Sequence, residues 1–455
     1  MAETRSHTNA GWLKRLGLER KELRAWALYD WGNSAFATTV MAAVLPIYYV
    51  KVAGADLPAA TASAYWAYTS AIGLLLVCLA SPVLGTIADY LGATKRFLAA
   101  FAILGAAATG ALWFVGRGDW VLASILFTLG NFGFTGSIVY YDALLPHIAR
   151  EDEIDRVSSA GWAVGYIGGG LLLLANAVMI SKPRLFGLAD AGVATRVSFV
   201  TVAIWWVLFT IPLLRHVPEP HRELEPDETP RESPVRAGFQ RLGETLAEIR
   251  RYPDLLKFLV AFWLYSDGIG TIIRMATAYG TEIGIGQSAL IGALILTQFV
   301  GIPFTFLFGA LSSRIGPRNG IYIALAVYTL IAIAGYFVTT AAHFWALACA
   351  VGMVQGGAQA LSRSIYATMI PKGKSSEFFS FFGVFEKFSG IAGPAVFGIV
   401  GQLTGTSRLG IVAVALFFVV GFAILSRVDI DAGRLAARAE ESTLRPLAPA
   451  DASTS

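Results

Sequence analysis

Twelve long apolar runs, six on each side of the longest polar stretch, constrain what this chain can fold into more than any other feature. They fall at about 26–50, 62–86, 97–116, 120–146, 157–180 and 196–214, then at 255–281, 288–311, 319–340, 344–370, 378–402 and 408–427. A membrane-spanning helix needs about 20 mostly apolar residues, and each run supplies nearly that or more. The runs are continuous rather than alternating, which excludes an outer-membrane barrel. Composition agrees: 55% of the 455 residues are hydrophobic and 15% are charged, against about 45–50% and about 25% in a soluble domain. A soluble enzyme, a nucleic-acid binder with a broad basic face and a disordered chain are all excluded. The fold expected is an all-α polytopic membrane protein with twelve transmembrane helices in two six-helix pseudo-repeats.

The expected organisation is a polar segment 1–25, a six-helix bundle 26–214, a linker 215–254, a second bundle 255–427 and a disordered tail 428–455. The linker opens with Pro218-Glu219-Pro220 and runs Pro/Glu-rich to Pro234, the composition of a flexible connection. From Arg236 to Tyr252, Phe239, Leu242, Leu246 and Ile249 recur at helical spacing among Arg and Glu, which fits an amphipathic helix on the membrane surface. With both termini on one side, the loops there hold 26 of the 35 Lys and Arg, the opposite loops six and the spans three. The positive-inside rule therefore places both termini in the cytoplasm. The net charge of +4 belongs to this asymmetry and does not mark a nucleic-acid surface. Cys78 and Cys349 lie far apart inside apolar runs, so no disulfide framework or CxxC motif exists. The polar first 24 residues and Asp30 in the first run argue against a cleavable signal peptide.

The two halves repeat. Tyr141-Asp142-Ala143-Leu144-Leu145-Pro146 returns 225 residues later as Tyr366-Ala367-Thr368-Met369-Ile370-Pro371, and at the same offset Gly165 and Gly168 fall on Gly390 and Gly393. Gly85-xxx-Asp89-xx-Gly92 returns as Gly309-xxx-Ser313-xx-Gly316, and Leu28-Tyr29-Asp30 corresponds loosely to Leu264-Tyr265-Ser266-Asp267. Two six-helix halves in parallel repeat resemble the layout of the major facilitator transporters.

Polar residues within apolar spans locate the candidate site, because a charge at mid-bilayer costs about 2.5–3.5 kcal/mol on insertion scales and faces a cavity or a partner. Span 1 carries Asp30, Asn33 and Ser34, and span 4 carries Asn131, Thr135 and Asp142 on one helical face. Span 7 carries Asp267, Thr271 and Arg274 at four- and seven-residue offsets, and span 10 carries Gln355, Gln359 and Arg363, each four apart. Spans 1, 4, 7 and 10 are the first of each three-helix unit, the helices that line the central cavity in the major facilitator architecture. Glu386 and Lys387 stand about mid-way along span 11. Asp30 and Asp267 are candidate proton carriers or cation partners, with Arg274, Arg363 and Lys387 as partners for an anionic group. The competing reading is that pairs such as Asp30–Arg363 or Glu386–Arg274 are static and hold the halves together.

Gly85, Asp89, Gly92, Lys95 and Arg96 make a candidate conformational latch, in which Asp89 meets the positive N-terminus of a neighbouring helix and the two cations anchor at headgroups. Gly161-xxx-Gly165-Tyr166-Ile167-Gly168-Gly169-Gly170 permits close helix packing and resembles the glycine signature of span 5 in facilitator-type antiporters, with Tyr166 for the expected Pro. Trp26, Trp31 and Trp263 near the cavity helices are either membrane-belt anchors or stacking surfaces for a substrate. The histidines form no metal-ligand cluster, no Walker-type loop for ATP is present, and no cofactor is expected.

Together these motifs resemble the vacuolar amino-acid effluxer family of the major facilitator superfamily. The resemblance is carried by Trp26-Ala-Leu-Tyr-Asp30-Trp-Gly-Asn33-Ser-Ala-Phe36, Gly161-Trp-Ala-Val-Gly-Tyr-Ile-Gly-Gly-Gly170, Leu264-Tyr-Ser-Asp267-Gly268, Gln359-Ala-Leu-Ser-Arg363-Ser, Ile370-Pro-Lys-Gly-Lys374 and Gln402-Leu-Thr-Gly-Thr-Ser-Arg408-Leu-Gly410. It covers about residues 22–425 and implies a twelve-span transporter that moves amino acids out of a compartment. Asp30, Asn33, Asp267, Arg363 and Lys387 match that pattern, whereas Asp142 stands where Asn is usual and Glu386 where a small residue is usual. The expectation is a secondary transporter, not an enzyme, in a bacterial inner membrane, working as a monomer. Its partners would be a small zwitterionic solute, protons and lipids. Efflux of drugs or organic anions, uptake, and a non-transporting sensor are the alternatives.

Overall fold

The computed structural model describes residues 18–91, 93–150, 154–219, 243, 247, 249–370, 382, 385–386 and 388–443. Among them the chain is helical throughout. Its helices are α1 (Lys21–Ala53), α2 (Ala59–Leu91), α3 (Thr94–Ala111), α4 (Trp120–Ile148), α5 (Ile154–Ser181) and α6 (Ala191–His216). There follow α7 (Pro253–Glu282), α8 (Gln287–Ile315), α9 (Pro317–Gly335), α10 (Ala341–Thr368), α11 (Ala392–Thr404), α12 (Ser407–Leu425) and α13 (Ile430–Thr443). Ten of these are long and apolar enough to cross a membrane, and shorter apolar stretches at Gln287–Gly301 and Ala392–Thr404 stand where spans 8 and 11 are expected.

Helix ends follow local chemistry. The Asp190, Thr340 and Thr406 side chains accept backbone N–H groups at the starts of α6, α10 and α12, satisfying donors that a helix N-terminus leaves free. The start of α3 has no such side chain of its own. Instead Glu219, just past α6, accepts from Lys95 N at 2.7 Å. Pro253 and Pro317 open α7 and α9, where a missing N–H and a fixed φ are harmless.

The packing repeats as the sequence does. In the first half α1 lies against α5 and α6, α3 against α4 and α6, and α2 against α4; the second half pairs α7 with α11 and α12, α9 with α10 and α12, and α8 with α10. Glycines set the closest approaches. Gly133 of α4 lies on the backbone of Gly105 in α3, and Gly168 of α5 lies on Trp31 of α1. Aromatic side chains fill the interior of the first half, with Trp26 stacked on Tyr141 at 4.3 Å and Phe36 among Phe127, Phe134 and Trp206.

Two sides can be told apart by their cross-links. On the far side Arg117 pairs with Asp56 at 3.2 Å, Gly118 N donates to Val52 O, and Ser407 N donates to Glu282. On the terminal side Arg318 donates to the Leu425 and Ser426 carbonyls, and Asp429 N donates to Asp254. The tail expected to be disordered from Val428 is a helix over Ile430–Thr443. Asp429 caps it, accepting from Ala432 N at 2.9 Å, and Ile430, Gly433 and Ala437 turn a buried face to the bundle, with Gly433 against Met369. A good cap and a narrow apolar stripe suffice where a neighbouring bundle supplies the packing. Of the expected linker helix 236–252, only 243, 247 and 249–252 are described, and the tail beyond 443 lies outside the described residues.

Candidate functional site

The two carboxylates that the sequence sets in register, Asp30 and Asp267, have different surroundings. Asp267 is 0% exposed. Its Oδ2 accepts from Ala392 N at 3.0 Å and its Oδ1 from Gly393 N at 2.9 Å. Those are the first two residues of α11, so Asp267 fills a helix N-terminus from a neighbouring helix, an arrangement favoured by both the free donors and the helix dipole. The donors are free because the chain turns at Ser389–Gly390. Gly390 has φ +113°, a conformation that side chains rarely adopt. Thr271, one turn on from Asp267, bonds back to its carbonyl at 2.7 Å, and both side chains abut Gly393, which has no Cβ to collide with them.

Asp30 stands nine residues into α1, about 14 Å along its axis at 1.5 Å per residue. It is half-buried, and Ser34 donates to its Oδ1 at 3.3 Å. Asp30 and Ser34 abut Gly165 of α5 as Asp267 and Thr271 abut Gly393. However, α5 is continuous from Ile154 to Ser181, so its amides at this level are engaged within the helix and none can turn to Asp30. Asp142 and Tyr166 lie close enough to act electrostatically on Asp30.

Asn33 is 1% exposed, and among the described residues neither of its amide atoms has a hydrogen-bond partner. It sits with Tyr29, Ser137 and Trp206 in one buried polar cluster between α1, α4 and α6. Asn131 is likewise buried, with its Oδ1 unpartnered and its Nδ2 against Gly73 of α2. Arg274 packs on Gly270 and Gly390; its Nη1 is buried without a hydrogen bond, and Asp267 is the carboxylate that acts on it. Asp142, Gln359, Arg363 and Glu386 are exposed. Lys387 and Gly92 lie outside the described residues. Gly85 and Asp89 stand on the last turns of α2, Arg96 is exposed, and Lys95 uses its backbone N–H to bind Glu219. Trp26 is 2% exposed and donates to Tyr141 O at 3.0 Å. It is a packing residue, neither a belt anchor nor a stacking surface.

The halves meet on the far side. Tyr68 donates to Gln402 Oε1 at 2.9 Å, Trp66 Nε1 to Arg274 O at 3.3 Å, and Thr277 to Ala42 O at 2.8 Å. Between the halves lies a cleft of about 950 Å³, its open mouth included. Thr38, Ala42 and Leu173 line it from the first half, and α7–α10 and α12 line it from the second. Among the described residues its polar lining is Thr38, Tyr279, Thr297, Gln298 and Gln355, and none of those that border it is charged. Of the expected site residues that are described, Gln355 reaches this cleft. Thr38 and Ala42 stand on a π-helical stretch of α1, Phe36–Val44, a backbone form frequent at functional sites. Nothing in sequence periodicity marks that stretch. Thr297, a lone hydroxyl in an apolar run, gave only a weak signal.

A sequence profile described as "Vacuole effluxer Atg22 like" matches residues 49–438. The MFS-type transporter YxiO of Bacillus subtilis is 38% identical over 410 residues, which is 90% of this chain and 95% of that protein. Autophagy-related protein 22 of Kluyveromyces lactis is 26% identical over 375 residues, 76% of this chain and 74% of the relative. Among solved structures, the nucleoside transporter NupG superposes with a TM-score of 0.64 at 15% identity, covering 90% of this chain and 99% of the other. A bacterial homologue of the human lysosomal transporter Spinster, inward-facing and unoccupied, gives 0.62 at 15% identity, covering 94% and 98%. At such identities the structures establish the shared fold alone.

Proposed function

The chain belongs to the Atg22-like vacuole effluxer family of major facilitator transporters, and from that premise we propose that it exports a small zwitterionic solute, an amino acid, in exchange for protons. Both termini would lie in the cytoplasm of a bacterial cell. The observation that carries this reading is the cleft bordered by both halves, which three hydrogen bonds join to each other. Alternating access requires such a site, reached from one side at a time. Export is supported by the family's description as a vacuole effluxer, and the amino-acid class by the resemblance read from the sequence motifs.

Asp30 is the better candidate for the coupling proton. It accepts from the Ser34 hydroxyl, so gaining a proton breaks little, whereas a proton on Asp267 would weaken its two charge-assisted bonds to backbone amides. The uncharged lining of the cleft favours a second reading, an apolar drug-like solute. Both can be tested in liposomes preloaded with labelled amino acids or with a lipophilic dye, following release with and without a proton gradient. Gradient-sensitive amino-acid release that becomes gradient-insensitive in Asp30→Asn supports the proposal. Dye release with no amino-acid release moves the apolar solute to the front.

A further inference from the structure

Of the three hydrogen bonds that join the halves on the far side, two come from α7 and one from the helix that follows a break, α11. Gln402 of α11 bonds Tyr68, and the backbone of Gly398 lies directly against the Tyr68 ring and the Ala64 carbonyl of α2. Gly390, at the start of the break, touches Leu74 of the same helix. α11 therefore makes the most extensive contact of the second half with α2, beside α7 and α12. The helix before it ends at Ser389, whose N–H still bonds Phe385 O at 2.9 Å, and Gly390 then reverses the backbone at φ +113°. A segment cut from the preceding helix in this way is positioned by its own side contacts and by whatever holds its N-terminus.

That holder is Asp267. It spends one carboxylate oxygen on each of the first two amides of α11, and both bonds are charge-assisted, about twice as strong as neutral ones. We propose that Asp267 is a positioning residue that clasps α11 to α7 and thereby seats the α11 flank of the far-side contact against α2, so that this flank opens when the clasp is released. The first half has no counterpart, because α5 is unbroken where Asp30 abuts it. The clasp makes α11 a separately seated gate, while α5 moves with its whole bundle.

Ala64 is 0% exposed beneath Gly398, so a thiol placed there reports the seal. In lipid nanodiscs, with Cys78 and Cys349 both changed to Ser, Ala64→Cys should react slowly with a polar maleimide. Adding Asp267→Asn leaves one acceptor for two amides and turns an NH₂ group toward a donor. Labelling should then rise about tenfold or more, the factor that loss of one charge-assisted hydrogen bond corresponds to. Adding Gly170→Ala instead, where a Cβ meets nothing within 4 Å, should leave the rate unchanged. Equal rates with and without Asp267→Asn, or equal acceleration by Gly170→Ala, would overturn the proposal. If Asp267→Asn does not fold, hydrogen exchange with Asp267 intact decides the matter. The amides of Ala392 and Gly393 should lose protection in step with Ala64→Cys labelling as temperature is raised. Labelling while those amides stay protected would overturn it equally.

Discussion

Asp30 and Asp267 show how one residue type, at matching places in a repeat, can take up different work. Each abuts a glycine of the fifth helix of its half, with a hydroxyl one turn on. The difference lies in whether the facing helix has amides to give. Hydrogen bonds to a charged group contribute about 1.5–3 kcal/mol each, so Asp267→Asn should destabilise the protein by about 2–3 kcal/mol, read as a clear drop in melting temperature in detergent. Asp30→Asn should melt within a few degrees of the unaltered protein while losing gradient-dependent transport. A larger melting shift for Asp30→Asn than for Asp267→Asn would reverse the two assignments. The sequence marks both acids as intramembrane charges, but it cannot reveal which one faces a helix N-terminus, because that depends on a turn at Gly390 more than a hundred residues away.

At the scale of helices, glycine contacts make paired predictions. A Cβ on Gly133 would collide with the backbone of Gly105, whereas a Cβ on Gly170 meets nothing within 4 Å. Gly133→Ala should cost about 1–3 kcal/mol through forced separation of α3 and α4, and Gly170→Ala should be neutral or slightly stabilising, both read by thermal melting. Both glycines lie in apolar runs, and sequence alone ranks Gly170, inside a glycine cluster, as the more constrained. Packing partners decide the reverse. The tail helix α13 is a second case. Its polar composition reads as disordered, yet the Asp429 cap and the small buried face at Ile430, Gly433 and Ala437 fold it against the bundle. Asp429→Ala should remove about 1 kcal/mol of that helix's stability and speed amide exchange over 430–443, leaving the bundle's melting unchanged. Exchange at the original rate would mean that packing, not the cap, holds it.

For the whole molecule, the hydrogen bonds between the halves and the cleft bordered by both make a claim about transport, not stability. Ala276 lines the cleft from α7. Ala276→Phe should fill part of it and lower transport tenfold or more, about the effect of 1.4 kcal/mol, with expression and melting near those of the unaltered protein. Undiminished flux would show that solute does not pass this cleft.

The amino-acid sequence by itself determines the membrane-spanning class, the helical architecture, the doubling of a six-helix unit and the family. These follow from the length and spacing of apolar runs and from motifs repeated at a constant offset, all local properties of a chain that must satisfy its backbone inside a bilayer. It also fixes which residues are too polar to be there without a reason. Only the tertiary structure decides what each reason is. Asp267 binds α11, Trp26 binds Tyr141, Glu219 closes the start of α3, and the polar groups that line the cleft among the described residues include Thr38, Thr297 and Gln355 and none of the acids. Each of these depends on a donor, a gap or a missing Cβ contributed by a distant segment, and such complementarity exists only once the helices have packed.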